Sequence, residues 1–235
     1  MDTKTRHSLK QDRFAKATAS SMSWLSGHRS GVLRWVIVAV VVVVAGVAAL
    51  VYWNLRSSAA DAALDAALDI YNAPLALPGA PPASGVYATS ADRAKAANQQ
   101  FVAVAHQYGW LAEGAKAHYF AGVTDEELNQ NVAAEAELKA AAGSWDRNLA
   151  NLSKLALAGL YHQMDRDAEA IALYNALAAK PSETVPAAMA QLDLADLYAA
   201  EGKPEQARAL WAKIKDADKD GMAGSIAAQK LGAKQ

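Results

Sequence analysis

The residues able to do chemistry in this 235-residue chain are few and scattered. The five histidines, His7, His28, His106, His118 and His162, form no His-x-x-Glu-His type pair around which a zinc site could be built. There is no cysteine, so a thiol nucleophile, a disulfide and a lipid-modified cysteine are all excluded. Neither a Gly-x-x-x-x-Gly-Lys phosphate loop nor a Gly-x-Ser-x-Gly elbow is present. His118 beside Tyr119 reads as packing or as the lining of a groove. Glu126 and Glu127 are adjacent, so on a helix they point to different faces and cannot act as a facing acid–base pair. Asp61, Asp65 and Asp69 recur every fourth residue and share one helix face. Such a ladder could ligate a metal, but like charges at this spacing repel, and a solvated face is the expectation. Asp216, Asp218, Asp220 and Gly221 match the start of an EF-hand loop. Its eighth place is Ala223, and its twelfth, which calls for a bidentate acid, is Ala227. The stretch is expected to be an acidic turn before a capping helix over 222–231, with calcium as the weak alternative. No catalytic residue, no cofactor and no resident metal is expected, and the chain is not expected to be an enzyme.

The elements around these residues explain why surface takes precedence over reaction. Trp35 to Leu55 is 21 residues without a charge between Arg34 and Arg56. A helix rising about 1.5 Å per residue needs about 20 apolar residues to cross a ~30 Å hydrocarbon core. In lipid the backbone must satisfy itself, so the run is helical. Trp35 at one end and Tyr52 and Trp53 at the other suit the two interfaces. The alternatives are a buried core helix, which rarely runs this long without a polar face, and a signal segment cleaved near the small residues 57–60. Residues 1–34 carry seven Lys and Arg against Asp2 and Asp12, and after Arg56 no cation follows until Arg93. The expected topology is a single-pass protein of a bacterial inner membrane: a basic cytoplasmic tail (1–34), a span (35–55) and a periplasmic domain (56–235). Within the tail, Leu9 to Leu25 reads either as a short helix on the anionic leaflet or as an unstructured basic segment.

Residues 57–235 have a net charge of −7, which argues against nucleic acid or anionic lipid as the main partner of that part. Alanine dominates, glycine and proline are confined to a few places, and alternating β-branched runs are missing, so the class is all-α. Ser57 or Ser58 is expected to cap a helix over 57–72. The Pro-rich stretch 73–90 is expected to be a loop, and Ser90 with Asp92 to start the next helix, which ends near Tyr108.

Two stretches then repeat. Leu157, Ala158, Tyr161, Ala170 and Tyr174 return 37 residues later as Leu194, Ala195, Tyr198, Ala207 and Trp211. Each copy is two short helices around a turn, at Asp165 and Arg166 or at Gly202 to Pro204. The small residues let the two helices cross closely and the large ones fill the gap to the next pair. Gly122, Ala134 and Leu138 give a degenerate third copy with Thr124 to Asn131 as its turn. Ala97 and Phe101 repeat the second-helix spacing once more, with 57–72 as the first helix of that unit.

This spacing resembles the tetratricopeptide repeat, with Asp165 where the family usually has glycine. One N-terminal span, a basic inner end and such repeats outside together resemble the YfgM-like family of ancillary subunits of the Sec translocon. The resemblance implies an α-solenoid of helical hairpins that holds chaperones or client proteins near the translocon, without catalysis. It also implies a partner groove lined by the first helix of each pair: Tyr119, Glu126, Glu127, Leu155, His162, Gln163, Leu192 and Asp196. Some tetratricopeptide domains clamp a carboxylate there with Lys, Arg and Asn. The corresponding places here are Leu155, Gly159, Leu192 and Asp196, so an apolar or basic segment is the expected occupant. Competing readings are a structural subunit of another inner-membrane complex, whose span packs through Ala45, Gly46, Ala48 and Ala49, and a stand-alone homodimer.

Overall fold

The computed structural model describes residues 29–77 and 84–232, so the tail segment over 9–25 lies outside the described residues. The described chain is all-helical, with an isolated bridge between Leu75 and Tyr87 as its one extended pairing. In order the helices are α1 (Arg29–Tyr71), α2 (Ser90–Tyr108), α3 (Ala112–Glu127), α4 (Asn131–Ala142), α5 (Arg147–Gln163), α6 (Asp167–Ala179), α7 (Ala187–Ala200), α8 (Pro204–Ala217) and α9 (Met222–Gly232). The chain divides into two compact units, residues 1–56 and 57–235.

In the first unit, the apolar run is helical and long and apolar enough to cross a membrane. Its large side chains from Trp35 to Leu55 are at least half exposed. A core helix of a soluble domain would bury such a face, so the exposure fits lipid as the covering phase. The expected new helix start at Ser57 or Ser58 is not found: α1 runs unbroken from Arg29 to Tyr71. Nothing between Asn54 and Leu64 is Gly or Pro, so the backbone has no reason to stop. It stops two residues before Ala73–Pro74, where proline disfavours helix in the residue ahead of it.

In the second unit, Ala60, Leu64 and Ala67 of α1 are buried among Ala97, Phe101 and Val104 of α2 and Ala117 and Ala121 of α3. Phe101 and Phe120 stack with ring centroids 5.2 Å apart, and Tyr71 meets Phe101 edge-on at 6.1 Å. Asp61, Asp65 and Asp69 stand exposed along the same helix, as a solvated face should. The loop after α1 is pinned at its base, where Ala76 N–H donates to the Tyr87 carbonyl and Tyr87 N–H to that of Pro74. Helix α2 begins at Ser90, but Thr89 is its cap: its Oγ1 accepts from Asp92 N–H at 3.0 Å.

From α2 to α9 every helix packs on the next, and α3 also touches α5, as α7 touches α9. The hairpin geometry repeats. Asn129, Asp165 and Gly202 all sit in the left-handed region, at φ 57°, 56° and 72°. One residue on, the N–H of Gln130, Arg166 and Lys203 reaches back to the carbonyl of Asp125, Tyr161 and Tyr198, 2.8 Å in each case. These are the turn bonds that satisfy the last carbonyls of a helix ending in a left-handed residue. The turn expected at Thr124–Asn131 is therefore shorter: Thr124 to Glu127 are helical, with Thr124 and Asp125 buried, and the chain reverses over 128–130. The second-helix positions agree as well. Ala97, Ala134, Ala170 and Ala207 are all fully buried, and Phe101, Leu138, Tyr174 and Trp211 four residues on are buried with them. Gly122 holds the place of Ala158 and Ala195 because no Cβ fits: one would lie 2.6 Å from Leu138 Cγ.

Candidate protein-interaction surfaces

The residues expected to line the first-helix face are drawn largely into contacts within the chain. On α3, Glu126 and Glu127 do diverge: Glu126 accepts from Gln163 Nε2 of α5 at 2.5 Å, and Glu127 accepts from the Tyr71 hydroxyl at 2.7 Å. Tyr119 is half-buried and lies edge-on to Phe120. Burial, and then the charge of Glu126, push its phenol up from the ordinary tyrosine value. Leu155 packs partly into the core between α5 and α7, and Leu192 partly into that between α7 and α9. His162 Nδ1 lies 2.6 Å from Asp167 Oδ1, and Asp196 pairs with Lys230 of α9 at 2.8 Å. The structure thus joins Tyr119, Glu126 and Gln163, whereas Leu192 and Asp196 lie at the α7–α9 end. Gln163, Glu127 and Asp196 remain exposed along it.

Polar cross-links tie one hairpin to the next. Asn98 of α2 donates through Nδ2 to the Ala121 carbonyl, Thr124 Oγ1 and Asp125 Oδ1 on α3. One repeat further on, Glu135 of α4 accepts from Arg166 Nη1 at 2.6 Å, Lys139 Nζ at 2.6 Å and the Tyr161 hydroxyl at 3.1 Å. The Arg166 guanidinium also lies 4.1 Å from the Tyr161 ring centroid, a cation–π stack that Lys203 over Tyr198 repeats at 5.8 Å. Arg166, and then Lys139, hold the Glu135 carboxyl down at about 2. Burial raises the carboxyls of Asp125 and Asp193, and it pushes the Tyr174 phenol, beside Asp193, up to about 12.

Asp218 has a structural task. Its Oδ2 accepts from Gly224 N–H at 3.1 Å, which caps the first turn of α9. Among the described residues no three of His, Asp and Glu gather into a group that could hold a metal ion. His118 faces Glu137 of α4 at 2.5 Å.

A second surface was not anticipated from the sequence. The links α2–α3, α4–α5 and α6–α7 carry two hollows that share Trp145. One, of about 400 Å³, is lined by Trp110, His118 and Trp145; the other, of about 430 Å³, by Trp145, Arg147, Lys154 and Lys180. Trp145 is 85% exposed. The signal was present in the Gly143-Ser144-Trp145-Asp146 turn: a large aromatic residue where turn chemistry calls for small polar ones.

No protein-family model matches the chain, and neither curated proteins nor solved structures give a match.

Proposed function

We propose that the protein is a membrane-anchored protein-interaction scaffold of the bacterial envelope. In this reading its span crosses the inner membrane, its basic tail is cytoplasmic, and its hairpins form a tetratricopeptide-like α-solenoid in the periplasm. Its work is to hold envelope chaperones or client proteins near the Sec translocon. The observation that carries the reading is the recurrence of one hairpin geometry, in left-handed turn residue, backbone turn bond and buried alanine, after a helix exposed along its apolar run. Stacked hairpins of this kind bury a continuous core and leave extended faces, a build suited to holding partners. The side chains of those faces, Tyr119, Gln163 and Asp196 among them, are aromatic, polar and acidic, which suits an extended segment carrying apolar and basic groups. A photoreactive residue placed at Val43 tests the location: adducts with the translocon channel support the reading. Adducts confined to subunits of another complex support a structural subunit there.

A further inference from the structure

The hollow beside Trp145 belongs to neither the span nor the first-helix face. Three cations line it, Arg147 at the start of α5, Lys154 about two turns further on, and Lys180 at the end of α6. None of the three makes an ion pair with a carboxylate among the described residues. They gather at one hollow in a part of the chain whose net charge is −7, whereas Arg166, Lys139, Lys203 and Lys230 are each held by a carboxylate. Glu183 borders the adjoining hollow that also contains Arg147, and it too makes no ion pair among the described residues. The backbone that carries the cations is held in place from both sides. The buried Asn151 donates through Nδ2 to the Lys180 carbonyl at 3.0 Å, and Thr184 Oγ1 donates to the Asn148 carbonyl at 2.9 Å. The cations are therefore anchored on fixed backbone before any partner arrives, which lowers the ordering cost of binding. Trp145 lines the same hollow and is largely exposed, a large rigid apolar contact of the type that anchors interfaces.

We propose that this hollow is the docking site for an acidic peptide segment of a partner protein, its carboxylates on Arg147, Lys154 and Lys180 and an apolar side chain against Trp145. Charge complementarity fixes the sign: a basic segment would meet three unneutralised cations, and an uncharged one would leave them without partners. The inference deepens the scaffold reading and rests on it only for the identity of the partner's owner; the site stands on its own chemistry.

The test uses the full chain in an uncharged detergent and two fluorescent twelve-residue probes, one alternating Glu and Leu, the other Lys and Leu, followed by anisotropy. The Glu–Leu probe is expected to bind and the Lys–Leu probe to bind at least tenfold more weakly. Lys154→Glu and Trp145→Ala are each expected to weaken the Glu–Leu probe about tenfold, while Trp145→Phe keeps most of the affinity. Both altered side chains lie at the surface of the hollow, so circular dichroism is expected to be unchanged. Equal binding of the two probes, or no loss with Lys154→Glu, overturns the proposal. So does displacement of the probe by glycerol phosphate at low millimolar concentration, which would mark a lipid-headgroup site instead. Failure of the scaffold reading, by contrast, shows in the Val43 adducts and leaves these affinities untouched.

Discussion

Glu135 shows how much of this domain's cohesion is held by single polar residues. Its carboxyl is held down at about 2 by Arg166 and then Lys139, well below the ordinary 4.5. A folded value below the unfolded one means stability that is complete above about pH 4.5 and is lost as pH falls toward 2. Glu135→Gln is therefore expected to lower the melting temperature at pH 6, with a difference that shrinks steadily below about pH 4.5 and is small by about pH 2. A difference that stayed constant with pH would show that Glu135 is not ionically bound. Asp125 and Asp193 are raised by burial and act in the opposite sense, favouring the fold as pH falls, so the comparison must be made between variants, not from the wild-type curve alone. At Gly122 the limit is space. Gly122→Ala would press a Cβ against Leu138 and cost about 1–3 kcal/mol, a loss of roughly 2–12 °C in melting temperature. The small-residue role of Gly122, Ala158 and Ala195 was legible from spacing alone. Asp125 in the place of Tyr161 and Tyr198 was not: a buried acid breaks the pattern, and only the donation from Asn98 on another helix explains it. Long-range partners of this sort leave no periodic trace in a sequence.

At the scale of the element, the turns decide the register of the hairpins. Asn129, Asp165 and Gly202 take the same left-handed conformation, which glycine adopts freely and aspartate and asparagine tolerate better than other residues. Gly202→Ala is expected to cost about 1–2 kcal/mol, the ordinary penalty for placing a Cβ in that region. Asp165→Gly is expected to be neutral or slightly stabilising in chemical denaturation. A large loss there would mean that the Asp165 side chain does something beyond accepting its backbone angle. The departure at Asp165 was visible in the sequence, whereas the turn of the preceding copy was placed too early. Thr124 and Asp125 look like turn residues by type, but Thr124 Oγ1 bonds back to the Phe120 and Ala121 carbonyls and Asp125 is held by Asn98, so the helix continues through both. The same override removed the expected break at Ser57. Serine is a cap only where the chain already leaves the helix, and the alanine-rich sequence after it does not.

At the scale of the whole molecule, the apolar run of α1 and the repeated hairpins were both readable in advance, the first from length and composition, the second from small and large residues at fixed offsets. The edge lined by Trp145 and three cations was not, because Arg147, Lys154 and Lys180 come together only when α5 and α6 pack. Topology is directly accessible, since a chain without cysteine makes any introduced thiol unique. In intact spheroplasts Ser225→Cys is expected to react with an impermeant maleimide and Ser8→Cys only after lysis; the reverse would invert the orientation. The scaffold account as a whole is tested most directly by purifying the full chain in mild detergent and identifying what accompanies it by mass spectrometry. Translocon subunits together with envelope chaperones or exported clients are the expected companions. Recovery of the protein alone, or in fixed proportion with the subunits of an unrelated membrane complex, would contradict it.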